Sequence, residues 1–85
     1  MQLAELFGKV LRERRQMVGL SQEKLALEAN FNRTFISMLE RGIRQPTLKT
    51  LFRLGKALEV SPAELILLVE TECAEAGFVI DSSED

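Results

Sequence analysis

SQEKLALEANFNRTFISMLERG, Ser21 to Gly42, contains two helix starts eleven residues apart. Each is an apolar residue, a short polar residue, and a second apolar residue five positions after the first: Leu20, Ser21, Leu25, then Phe31, Asn32, Ile36. A Ser or Asn that accepts a bond from the opening N–H groups of a helix, framed by an apolar pair, is the hydrophobic staple around an N-cap. The same pattern returns at Val60, Ser61 and Leu65, where Pro62 suits the first helical position and Glu64 completes a Ser-x-x-Glu capping box. A fourth start follows the Gly42 to Pro46 loop, with Thr47 as cap and Leu48, Leu51, Phe52, Leu54 and Leu58 at helical spacing. Upstream, Leu3, Leu6, Phe7, Val10, Leu11, Met17 and Val18 form one amphipathic stripe that Gly19 ends. Helices are therefore predicted over 3–18, 21–29, 32–41, 47–58 and 61–74, with an all-α fold. From Ala76, Phe78, Val79 and Ile80 predict a short strand or a packed arm, followed by five polar residues expected to be disordered.

Helices two and three are joined by about two residues around Asn30, which suits two short helices crossing steeply. That arrangement is a helix-turn-helix. With Gln22 as its first position, Leu25, Ala29, Phe31, Ile36 and Leu39 fall on inner faces, Ala26 is small enough for close approach, and Asn30 tolerates the left-handed turn conformation. At about 100° per residue from the inward Ile36, the third helix turns Leu39 and Glu40 toward the core and Thr34, Ser37, Met38 and Arg41 away from it. Arg33 stands in its first turn, where a recognition helix points into the major groove. Arg33 can donate twice to the O6 and N7 of guanine, Thr34 can bond a base or phosphate, and Met38 can meet a thymine methyl. Arg33, Thr34, Ser37 and Met38 are thus the expected base readers, with Arg41, Arg44, Gln45 and Lys49 expected on phosphates.

The motifs GLSQEKLA (19–26), NRTFISMLERG (32–42), QPTLKTL (45–51) and LEVSPAEL (58–65) resemble the Cro/CI-like, or XRE, helix-turn-helix family across residues 5 to 69. Arg33 to Arg41 is similar to the controller proteins of restriction-modification systems, and the whole to phage-type repressors. The resemblance implies a five-helix lambda-repressor-like DNA-binding domain, here residues 1–70, with a short C-terminal extension over 71–85. It also implies a phosphate contact by Gln22 at the N-terminus of helix two, and Arg15 as the partner that an inward-facing Glu40 requires. Asn30 stands where the family usually has Gly.

The formal charge of −2 conceals a polarised chain. All eleven basic residues lie in the first 56 positions among five acids, a net of +6, and the remainder holds eight acids and no base. Double-stranded DNA is the partner expected of the basic part. At 46% hydrophobic and 28% charged, 85 residues suit one globular domain. No apolar run reaches the roughly 18 residues that span a bilayer, and none resembles a signal segment, so a cytoplasmic protein without a membrane partner is expected. With no His and a lone Cys73 the chain offers no metal-ligand cluster, and no cofactor is expected. No Tyr, no Gly-rich phosphate loop and no nucleophile beside a base speak for an enzyme. The rival is a protein-interaction module of the same fold, with a partner such as a toxin or anti-repressor. Leu65 and Ile66 are expected to close the core from helix five. That leaves Leu67, Leu68, Val69, Cys73, Phe78, Val79 and Ile80 for a homodimer interface formed by the fifth helix and the tail, the alternative being a tail folded back on its own domain.

Overall fold

The computed structural model describes residues 2–79. Five helices follow in order: α1 Leu3–Met17, α2 Gln22–Ala29, α3 Arg33–Glu40, α4 Leu48–Leu58 and α5 Pro62–Ala76, with no strand among the described residues. Four of the starts are capped as the sequence dictates. The side chains of Ser21, Asn32, Thr47 and Ser61 accept from the N–H groups of Lys24, Phe35, Thr50 and Glu64 at 2.8–3.1 Å. At Ser61 this is the half of the capping box that forms. A cap missed in the sequence opens α1, where the Gln2 N–H donates to Glu5 Oε1 at 2.7 Å.

The helices pack as α1 on α3 and α5, α2 on α3 and α4, and α4 on α5. Leu6, Leu11, Leu25, Ile36, Leu39, Leu54, Leu58 and Leu65 fill the centre and are essentially inaccessible to solvent. α3 packs against α1 and α2 on its Ile36–Leu39 side, which leaves its opposite stripe at the surface. One contact behind it is unusually close. A Cβ on Gly8 of α1 would lie 2.5 Å from the Glu40 carbonyl oxygen and 2.6 Å from that of Leu39.

Several apolar residues are placed differently from the sequence reading. Met17, Leu48 and Phe52 are 73%, 76% and 65% exposed, so the buried stripes of α1 and α4 are narrower than their composition. On α5, the seam against α1 and α4 runs along Leu65 and Val69, one turn apart, with Leu68 and Cys73 at its margins. Val69, expected in a dimer interface, therefore belongs to the domain's own core, and Leu68 and Cys73 pack partly against it. Ile66, expected to close the core, is 49% exposed because it lies one residue around the helix from that seam. α5 crosses position 70 unbroken and ends in a Schellman motif. Gly77 is left-handed, and the N–H of Phe78 donates to the carbonyl of Cys73 at 2.8 Å. Phe78 is thereby half-buried and turned back on the domain, whereas Val79 is 84% exposed. Neither residue is in a strand. Ile80 and the acidic last five residues lie outside the described residues.

Candidate nucleic-acid interface

The connection between α2 and α3 is set by Asn30. It takes the left-handed conformation (φ 62°, ψ 44°), and the next N–H, that of Phe31, returns to the Ala26 carbonyl at 2.8 Å. This closes α2 with a Schellman motif and redirects the chain into the Asn32 cap of α3, so Asn serves where a glycine would be the ordinary choice.

Along α3, Arg33 and Thr34 stand exposed in the first turn. Ser37 and Met38 follow one turn later, both half-buried. Arg41 folds back along the helix, its Nε donating to the Ser37 carbonyl at 3.3 Å and to Ser37 Oγ at 3.2 Å. A hydroxyl that accepts this bond can still donate outward. Arg44, Gln45 and Lys49 are exposed on the α3–α4 loop and the first turn of α4. Arg44 flanks the start of α3, its guanidinium over Phe35, while Gln45 lies at the groove that Leu3, Phe7 and Ile66 line.

Behind the stripe sits the ion pair. Arg15 Nε and Nη2 donate to the two oxygens of Glu40 at 2.6 and 3.1 Å, and Arg15 Nη1 donates to the Leu20 carbonyl at 2.8 Å. The side chains are 12% and 4% exposed. The two-pronged fit satisfies a carboxylate that burial would otherwise penalise. Gln22 joins this network: its Nε2 donates to Glu40 Oε1 at 3.0 Å. Its amide is thus turned toward the ion pair, which leaves one N–H and the carbonyl oxygen for other partners.

A further group near the stripe escapes the sequence reading. The rings of Phe31 and Phe35 lie 4.9 Å apart and tilted by 45°, with the guanidinium of Arg53 over Phe31 at 4.1 Å and that of Arg44 over Phe35 at 5.9 Å. From the sequence, Phe31 is a staple on the inner face of the motif and Arg53 only one of eleven basic residues. Their conjunction depends on how α4 lies across the α2–α3 turn.

Known proteins agree with this geometry. A family model described as helix-turn-helix matches residues 11–65. The control protein C.BamHI of Bacillus amyloliquefaciens is 44% identical over 62 residues, 72% of this chain and 76% of its own length. Among solved structures, the restriction-modification controller protein C.AhdI from Aeromonas hydrophila superposes with a TM-score of 0.71 at 40% identity, covering 73% of this chain and 94% of that one. A mutant of the controller protein C.Esp1396I, bound to its highest-affinity operator site, superposes with a TM-score of 0.77 at 36% identity, covering 85% and 95%. With these matches across the capped helices and the α2–α3 turn, the chain belongs to the XRE-type helix-turn-helix family of DNA-binding transcriptional regulators.

Proposed function

We propose that the protein is a sequence-specific regulator of the controller type, acting in the cytoplasm as a homodimer that inserts α3 of each protomer into the major groove of a palindromic operator. The observation that supports this most directly is the solvent-facing stripe of α3. Arg33 and Thr34 open the helix and are exposed, Ser37 and Met38 continue the same face, and the Glu40 carboxylate behind them is bonded at both oxygens by Arg15. In this reading Arg33, Thr34, Ser37 and Met38 read bases. Arg41, Arg44, Gln45, Lys49 and the remaining N–H of Gln22 hold phosphates.

The dimer reading draws on α5. Ile66 and Leu67 are 49% and 58% exposed, and Ile66, Cys73 and Phe78 line an apolar groove of about 420 Å³ that also reaches Leu3 and Phe7. A symmetric dimer built on this face would read one operator only if it held two α3 helices about 34 Å apart, one turn of duplex. Selection of bound sequences from a random duplex pool tests the whole reading. A palindromic consensus is expected, and recovery of no consensus would refute sequence-specific recognition. Sedimentation of the full chain at micromolar concentration tests the dimer: a Leu67→Glu variant is expected to sediment as a monomer, and a wild-type monomer would refute the symmetric arrangement.

A further inference from the structure

Arg53 reaches from the middle of α4 to the far side of the helix-turn-helix turn. Its Nε donates to the Ala29 carbonyl at 3.0 Å and its Nη2 to the Asn30 carbonyl, while its plane lies over the Phe31 ring. The last carbonyls of a helix have no partner within it and carry the negative end of its dipole, so a guanidinium there is favoured twice over. Phe31 in turn rests on Phe35, which shares the first turn of α3 with Arg33 and Thr34. A continuous set of contacts therefore runs from α4, across both peptide groups beside the left-handed Asn30, into the start of the reader helix.

We infer that Arg53 is a positioning residue for sequence discrimination: by bonding both carbonyls of the turn and stacking on Phe31, it fixes the angle at which α3 meets the groove. This rests on the reading of α3 given above. The leverage is large. At a rise of about 1.5 Å per residue Ser37 and Met38 lie about 6 to 8 Å along α3, so a tilt of roughly 10° at the turn moves them by about 1 Å. Base readout needs placement to within about 0.5 Å, whereas a phosphate contact through a long Lys or Arg side chain tolerates more. Loosening the turn should therefore cost discrimination before it costs non-specific affinity.

Arg53→Met and Arg53→Lys separate the possibilities. The first keeps the aliphatic stem without charge, and the second keeps charge without the planar fork. Binding is measured for each on the duplex that wild type selects from a random pool and on a scrambled duplex of the same length, across a salt series, with circular dichroism reporting folding. The expected result for Arg53→Met is a loss of about tenfold on the selected duplex, under about twofold on the scrambled one, and an unchanged salt slope. Arg53→Lys should recover less than half of the lost discrimination, on a logarithmic scale. Equal losses on both duplexes, with a salt slope shallower by about 0.9, would make Arg53 a phosphate contact and overturn the inference. Full discrimination by either folded variant would overturn it as well. If Arg53→Met is unfolded at the assay temperature, Arg53→Lys alone decides by the same criterion. A wild type that prefers no duplex sinks the reader-helix reading itself, a failure distinct from that of Arg53.

Discussion

Gly8→Ala reverses the sign that helix propensity alone would give. Gly8 lies inside α1, where replacing Gly by Ala ordinarily gains about 1 kcal/mol. Here the new methyl would meet two backbone carbonyl oxygens of α3 at 2.5 and 2.6 Å and the Glu40 carbonyl carbon at 2.8 Å. None of these can rotate aside as a side-chain tip could. Relief requires α1 and α3 to part by roughly half an ångström or more, which loosens dispersion contacts around the fully buried Leu39 and Ile36. Overpacking costs about 1–3 kcal/mol, and three backbone atoms met at once put this site in the upper half of that range, about 2–3, which leaves a net destabilisation of about 1 to 2 kcal/mol after the propensity gain. For a domain of this size that lowers Tm by about 5–15 °C. Thermal denaturation followed by circular dichroism measures it, with DNA titration of the folded variant as a second readout. The shift also moves the residue that Arg15 holds, so affinity should fall even where the variant is fully folded. A Gly8→Ala protein more stable than wild type by the ordinary helix increment would refute the close approach.

Glu40→Gln leaves the mostly buried Arg15 without its carboxylate and should cost about 3–5 kcal/mol, read as a drop in the urea midpoint. Arg15→Met combined with Glu40→Leu should cost far less, since both charges leave together. Asn30→Ala should destabilise by about 1–2 kcal/mol because alanine resists the left-handed conformation, whereas Asn30→Gly should be close to neutral; an undisturbed melting temperature in Asn30→Ala would contradict the turn geometry. Lys9 is held above its ordinary 10.5 by the hydrogen bond and the charge of Glu72, 2.7 Å away. A group whose pKa rises on folding stabilises fully below its unfolded value and loses that stabilisation as pH climbs through its folded value. Stability should therefore decline above about pH 10.5, and Lys9→Met should flatten that alkaline decline. Arg33→Ala should cost about 1–3 kcal/mol on the selected duplex and relax preference at one position per half-site, whereas Lys49→Ala should weaken all duplexes alike. Loss of affinity with unchanged preference in Arg33→Ala would remove Arg33 from the readers.

The parts of the fold that are local in sequence were legible there. Ser21, Asn32, Thr47 and Ser61 each lie three residues before the N–H they accept from, and Asn30 sits inside the turn it makes, so residue type and spacing suffice. The inward placement of Glu40 follows from helical phase, and its bond to Arg15 agrees with what family resemblance implied. The failures come from contacts that depend on how helices lie across one another. Val69 and Ile66 are both apolar residues of one helix, and only the line of α5 against α1 and α4 decides which is buried. Gly8 looks like a weak spot in α1 until the carbonyls of Leu39 and Glu40 are found beside it. Arg53 likewise carries a charge that would fit a DNA contact, yet it bonds within the protein, and Gln22 gives one N–H to Glu40 while its other stays available.

These internal bonds bear on how recognition can vary. α3 is held at its end by the Arg15–Glu40–Gln22 network, along its back by the close approach of Gly8, and at its start by Asn32 and the Phe31–Phe35 pair. None of these restraints uses the exposed side chains of Arg33 and Thr34. Exchanging those two residues should then leave stability within about 0.5 kcal/mol, as surface substitutions away from packed features do, while changing the duplex selected. Exchanging Gly8, Arg15 or Glu40 should lower stability and affinity together. The separation follows from α3 burying Ile36 and Leu39 on one face and exposing Arg33 and Thr34 on the other: the fold depends on the first, and under the proposed reading the choice of operator is free to depend on the second.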